Sequence, residues 1–458
     1  MNTLTIHNPA TGERITTLPA DTAASVAAKA TAARAAQPAW AALPIADRLD
    51  IVRRFRAALV EQVETLAQTL TQEMGKPISQ ARGEINGLLP RIDFFLEQAE
   101  PSTADEHVFS GGGMHEHIGH APLGVVANIS AWNYPYFVGC NVIVPALLTG
   151  NAVLYKPSEY APLSGLNITR LLHDAGVPAD IMVCLVGGAA VGAALLDQRI
   201  DGLFFTGSHA TGQRIAQALA PRLIKLQLEL GGKDPTYVRA DADVKAAAES
   251  LADGAMYNTG QSCCSVERVY VHESVHDAFV EHFVSTVAGF RMGDPTAADT
   301  YIGAIARAPQ IAVLEAQVAD AVAKGAKLHG GGGRRRPGPG QWFEPAVLSN
   351  VNHSMDLMRE ESFGPVIGIQ KVSGDDEAVT LMNDTRYGLT AGVFTKDEAV
   401  AHALLSRINA GTVYWNCCDR VSPRLPWSGY GDSGLGLTLS THGIQTFTRP
   451  KAWHMRSP

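Results

Sequence analysis

The chain is predicted to be α/β, with parallel strands packed around more than one hydrophobic core. Between residues 121 and 222, short apolar runs alternate with helix-like stretches, the rhythm of βαβ units. A second stretch of the same kind runs from 243 to 396. A length of 458 residues is more than one core serves, so two or three domains are expected.

The elements follow in order. From Asp47 to Leu70, apolar Leu49, Val52, Phe55, Leu59, Val63, Leu66 and Leu70 recur at helical steps, and Gly75 and Pro77 end the pattern. "SGGGMHEHIGH" (110–120) breaks any helix and leads into the strand candidate "APLGVVANIS". "NAVLYKPSE" reads as strand then loop, "APLSGLNITRLLHDAG" as a helix, "IMVCLVG" as a strand, "AAVGAALLDQR" as a helix, "DGLFFTG" as a strand and "TGQRIAQALAPR" as a helix. The second stretch gives helix 243–258, strand "RVYVHES", helices 275–290 and 309–324, then strands "PVIGIQKV" and "AGVFTK". No internal repeat is visible. "GGGGRRRPGPG" (330–340) reads as an exposed loop rather than a nucleic-acid patch, because no aromatic residues are interleaved with its arginines.

With 46% hydrophobic and 18% charged residues the composition is that of a soluble globular protein. A net charge of −8 argues against nucleic acid or an anionic membrane surface as partner. No signal peptide or membrane-spanning apolar run is found, so a cytoplasmic location is expected. Six cysteines (Cys140, Cys184, Cys263, Cys264, Cys417, Cys418) are too few for a disulfide scaffold. None forms C-x-x-C, so no metal site is expected. Core packing or chemistry remain as roles for reduced thiols.

Several stretches could carry chemistry. "LFFTGSHATG" ends a strand at Phe205 and starts a helix near Thr211, where free N–H groups suit a pyrophosphate. Its spacing is not G-x-G-x-x-G, and a plain strand–helix turn fits as well. Lys156 and Glu159 follow a strand and could bond ribose hydroxyls; a solvated charged loop is the simpler alternative. Asn133 stands between Trp132 and Tyr134, where its amide could donate to an oxyanion or merely serve a turn before proline. Glu229 among leucines in "KLQLELGGKDP" is a general base raised in pKa by burial, or a strand residue facing solvent. "NTGQSCCSVER" (258–268) holds a cysteine pair that is nucleophile or packing.

Taken together and in order, these stretches resemble the NAD(P)-dependent aldehyde dehydrogenase superfamily along nearly the whole chain. The likeness is carried by "PLGVVANISAWNYP", "PALLTGNAVLYKPSE", "FFTGSHATG", "LELGGKDP", "NTGQSCCSVER", "EESFGPV" and "NDTRYGLTAGVFT". The resemblance implies a Rossmann-like NAD-binding domain (1–103 and 123–230), a catalytic domain (231–437) and a small β oligomerisation element (104–122 and 438–458). It implies Cys263 as nucleophile, with Asn133 and the Cys263 N–H holding the oxyanion of a thiohemiacetal. Hydride transfer to the nicotinamide would leave a thioester, and Glu229 would activate water to release the acid. Lys156 and Glu159 would hold the adenosine ribose and Thr206, Gly207 and Ser208 the pyrophosphate. Glu361 and Phe363 would position the nicotinamide end, with Trp132, Ser158 and Gly231 completing the cofactor set. Glu159 favours NAD over NADP, although NADP is possible.

The expected substrate pocket is Tyr134, Phe137, Asn141, Cys264, Val421 and Trp427. Tyr134 and Trp427 match two rings of the cation box of aminoaldehyde-oxidising relatives, while Asn141 stands where a third ring, or the arginine of succinic semialdehyde enzymes, is common. A broad, apolar or aromatic aldehyde is therefore expected, with aminoaldehyde, betaine-aldehyde and succinic semialdehyde oxidation as alternatives. A coenzyme-A-acylating enzyme and a non-catalytic structural relative are the alternatives from other classes. The expected partners are the small-molecule aldehyde and the chain itself, as a homodimer or homotetramer. The sequence departs from the resemblance at "SGLGLTLSTHG", where Leu437-Thr438 replace a common Arg-Glu; the ending resembles a less characterised bacterial branch.

Overall fold

The computed structural model describes residues 2–330 and 332–457. Two doubly wound sheets form its frame. The first has six strands in the order Gly434–Leu435, Lys225–Glu229, Gly202–Thr206, Val125–Ile129, Ala152–Lys156 and Met182–Cys184. All pairs are parallel except the outer one, Gly434–Leu435 against Lys225–Glu229. From Val125–Ile129 the chain winds outward through Ala152–Lys156 and Met182–Cys184, then returns to the other side at Gly202–Thr206. The reversal leaves a crevice at the carboxyl ends of strands Val125–Ile129 and Gly202–Thr206, the place where open α/β sheets bind ligands.

The second sheet has seven strands in the order Lys327–His329, Ala346–Ser349, Val366–Val372, Val266–His272, Asp234–Val238, Thr390–Phe394 and Thr412–Trp415. It is parallel except at Lys327–His329. Its inner strands Asp234–Val238 and Thr390–Phe394 are buried on both faces, as covered parallel sheets require. A third, antiparallel sheet joins Glu106–Gly111, Met114–Pro122 and Thr448–Arg456.

Most expected elements are present, with shifted ends. The first expected helix spans Ile45–Met74, and Gly75 closes it at φ +79°. "SGGG" is more than a breaker: Gly112 and Gly113, at φ +59° and +79°, make the two-residue turn of a hairpin. The helix expected near Thr211 begins at His209. Arg334, Arg335 and Arg336 are exposed in a loop, as expected of 330–340; Gly331 lies outside the described residues.

Helices Ile78–Thr103 and Pro135–Leu148 escape the sequence reading for opposite reasons. The former contains Pro90 and Pro101, which mimic helix ends. The latter is buried on nearly every face, so no polar stripe interrupts it and no periodicity appears.

Candidate active site

The crevice opens into a cavity of about 650 Å³ that four strand ends share. Ile129, Lys156, Thr206 and Glu229, each the last residue of its strand, all line it. So do Asn133, Cys263 and every residue expected at the cofactor: Trp132, Lys156, Ser158, Glu159, Thr206, Gly207, Ser208, Gly231, Glu361 and Phe363. Residues a hundred positions apart, from Ile129 to Glu229, thus meet because parallel strands all present the same end, and loops bring Cys263, Glu361 and Phe363 to them.

One half of the cavity is a cradle of backbone and ion pairs. Lys156 is buried, and its Nζ lies 3.1 Å from Glu159. Ser208 is the N-cap of helix His209–Leu219 and lines the cavity together with Thr211 of its first turn. A Cβ on Gly231 would run into the Glu361 carboxylate, so a larger residue there would have to displace that side chain. Glu361 accepts from the Gly232 N–H at 2.9 Å, and burial, reinforced by nearby Glu267, pushes its carboxyl up to about 8.

Phe363 is held at φ +50° by Glu267, which accepts from the N–H groups of Ser362 and Phe363 at 2.8 and 2.9 Å. Lys233 neutralises Glu267 at 2.7 Å. Glu267 belongs to "CCSVER", and its work on a loop almost a hundred residues away has no sequence signal. Arg214 and Arg307 also line the cavity and were not expected there.

The other half holds the thiol. Asn258, Thr259 and Gly260 have left-handed backbone, which turns the chain from helix Val244–Met256 into the cysteine segment. Gln261 fixes that turn by donating to the carbonyls of Asn258 and Ala304 at 3.1 and 3.3 Å and accepting from the Ala306 N–H at 2.9 Å. Asn133 donates from Nδ2 to the Gln261 carbonyl at 3.2 Å, so the amide and Cys263 share one anchor. Beneath them Lys76, fully buried and paired with Glu84, donates to the Asn133 carbonyl at 2.7 Å. Glu84 in turn accepts from the Tyr136 N–H at 2.9 Å, at the start of helix Pro135–Leu148.

Glu229 is buried, and desolvation pushes its carboxyl up to about 8. Its Oε1 accepts from Gln227 Nε2 and from Thr438 Oγ1, both at 2.9 Å. Thr438 is half of the pair at which the sequence departs from the resemblance. The departure therefore places a hydroxyl on the carboxylate instead of a second carboxylate near it.

The six expected pocket residues are not among those that line this cavity. Tyr134 and Phe137 stack at 5.8 Å. Cys264 is buried, and its thiol donates to Asp419 at 2.9 Å. Trp427 exchanges backbone hydrogen bonds with Thr438 at 2.8 and 2.9 Å, and Val421 packs on the same apolar cluster as Trp427 and Cys264. Asn141 is buried and accepts from Arg91 at 3.2 Å. Arg420 and Arg424, in the loop at the mouth, are exposed. Two charged groups here went unread in the sequence: Arg91, hidden after Pro90 in an apolar stretch, and Asp419, which looked like loop polarity.

Residues 1–453 match the sequence profile of the aldehyde dehydrogenase family. The 3,6-anhydro-alpha-L-galactose dehydrogenase of Streptomyces coelicolor is 37% identical over 99% of this chain and 93% of its own length. The succinate-semialdehyde dehydrogenase [NADP(+)] of Deinococcus radiodurans is 35% identical over 97% of this chain and 93% of its own. The crystal structure of an NAD-dependent aldehyde dehydrogenase from Sinorhizobium meliloti superposes with a TM-score of 0.96 at 32% identity, covering 99% of this chain and 91% of that one.

Proposed function

This chain belongs to the aldehyde dehydrogenase family and oxidises aldehydes to carboxylic acids with NAD(P), and within that activity we propose that Cys263 is the nucleophile, Asn133 the oxyanion donor and Glu229 the general base. One observation carries the assignment: the three side chains line the same cavity as the proposed cofactor residues. Cys263 attacks the aldehyde carbon, and the Asn133 amide with the Cys263 N–H receives the developing oxyanion. One such donor is worth roughly 10²–10³ in rate. When bound, the dinucleotide supplies the hydride acceptor. Glu229 then takes the proton of the water that opens the Cys263 thioester.

Lys156 and Glu159 are proposed to hold the adenosine ribose, Thr206, Gly207 and Ser208 the pyrophosphate, and Glu361 and Phe363 the nicotinamide end, with Trp132, Ser158 and Gly231 beside them. The fit of a dinucleotide rests on Lys156, buried at a strand end and paired with the partly exposed Glu159, and on the close approach of Gly231 to Glu361. Glu159 favours NAD, while Arg214 and Arg307, which line the same cavity, are cations that could pair with the extra phosphate of NADP.

Glu229 supports hydrolysis over transfer to coenzyme A, and an intact thiol and amide oppose a purely structural role. The domain division expected from the sequence belongs to the same proposal, as does a cytoplasmic homo-oligomer. The latter is supported by exposed Val108, Phe109, Trp453 and Met455 on the third sheet, and by six unpaired cysteines.

The test is Cys263→Ala. Aldehyde-dependent NAD(P)H formation is expected to fall at least about 10³-fold while dinucleotide binding, read by calorimetry, persists. Retained turnover would reject the assignment.

A further inference from the structure

Building on Cys263 as the reacting thiol, we infer that Arg91 receives a carboxylate on the tail of the aldehyde and so selects ω-carboxy aldehydes. Arg91 lies in helix Ile78–Thr103 and is only 7% exposed. A guanidinium buried without an anion or a full set of acceptors is strongly unfavourable, and the other buried cations avoid that state. Lys76, Lys156 and Lys233 are paired with Glu84, Glu159 and Glu267. Arg48 donates to the carbonyls of Trp40, Ala41, Leu43 and Leu148, and Arg268 to those of Lys233, Leu381 and Met382. Arg91 has no ion pair among the described residues and a single hydrogen bond, to Asn141 Oδ1 at 3.2 Å. The rest of its donor fork is unspent. None of its free nitrogens is among the sealed, unpartnered atoms, so they face a space that solvent reaches.

That space is the acyl side of the site. Arg91 lies within electrostatic reach of Cys264, Cys263, Asp419 and Glu229. Its guanidinium sits 3.9 Å over the Phe137 ring, Phe137 stacks on Tyr134, and the Lys76 ammonium sits 3.8 Å over Tyr134. The two rings are thus capped at both ends by the protein's own cations, and a cationic substrate would meet like charge rather than a free aromatic face. Of the neighbouring carboxyls, Glu84 is neutralised by Lys76. Asp419 accepts from the Cys264 thiol, and burial pushes its carboxyl up to about 7. Asn141, which the sequence offered as the absence of an arginine, is the anchor of one.

The experiment compares kcat/KM for 4-oxobutanoate, its neutral analogue pentanal and 2-hydroxypropanal in the full-length enzyme, with either dinucleotide. Wild type is expected to prefer 4-oxobutanoate to pentanal by at least about 50-fold. Arg91→Gln should cost at least about 30-fold more on 4-oxobutanoate than on pentanal, mainly in KM, and Arg91→Lys should recover part of it. Because the wild-type preference needs no variant, a misfolded Arg91→Gln leaves the inference exposed to refutation. No preference, equal losses on both substrates, or a preference for 2-hydroxypropanal would overturn it. If pentanal is turned over in a Cys263-dependent way without such a preference, the Arg91 assignment falls and that of Cys263 stands. If no aldehyde is oxidised, both fall.

Discussion

The two sides of Cys263 are built from different materials. On the side proposed for the cofactor, strand ends, a helix start and a close-packed glycine do the shaping: Thr206 ends a strand, Ser208 caps a helix, and Gly231 lies against the Glu361 carboxylate. On the acyl side, side chains converge from helix Ile78–Thr103, helix Pro135–Leu148 and the loop after strand Thr412–Trp415.

That contrast predicts how variants should separate, beginning with the largest effect. Gly231→Ala drives a methyl into the Glu361 carboxylate, so it should raise the apparent Kd for dinucleotide at least about tenfold while aldehyde discrimination stays as in wild type. A change in the aldehyde panel without weaker dinucleotide binding would blur the two sides into one.

Thr438→Val comes next. Thr438 donates to Glu229 and helps hold its carboxyl down, whereas burial pushes it up to about 8. A base works only when deprotonated, so turnover limited by thioester hydrolysis should rise with pH through about 8 in wild type. Losing a hydrogen bond worth about 1 kcal/mol should move that rise to higher pH and lower turnover at pH 7 several-fold, with recovery at high pH. An unmoved profile would leave Thr438 as mere packing.

The smallest effect is expected for Cys264→Ser. The hydroxyl can still donate to Asp419, so kcat should change less than about threefold, while ranking among aldehydes shifts. A dead variant would mean that the chemistry is shared between the neighbouring thiols.

The same contrast explains what the sequence revealed. The residues proposed to hold the cofactor stood out because backbone requirements leave local signatures: a small-residue turn after an apolar strand at 201–208, a Gly-Gly after Glu229, a Lys and a Glu just past a strand. Even there, Arg214, within a helix, and Arg307, just before one, stayed hidden, since surface-type arginines look alike until the fold turns them toward the cavity. On the acyl side Asn141 was legible as a position and not as a function. Its meaning depends on Arg91, fifty residues earlier on another helix, and nothing local couples the two. Helix Pro135–Leu148 was missed as an element although its first residues were read as site residues, because motif and periodicity are independent signals and only the motif was present.

The most direct test of the account is to trap the acyl group. Glu229→Gln should keep the first step and slow hydrolysis, so mixing with NAD(P) and aldehyde should give a rapid burst of reduced dinucleotide close to one equivalent per site. Peptide mass spectrometry after rapid acid quench should then find the acyl mass on Cys263, with Cys264 unmodified. Absence of the burst, or an acyl mass on Cys264 in its place, would contradict the assignment of nucleophile and base.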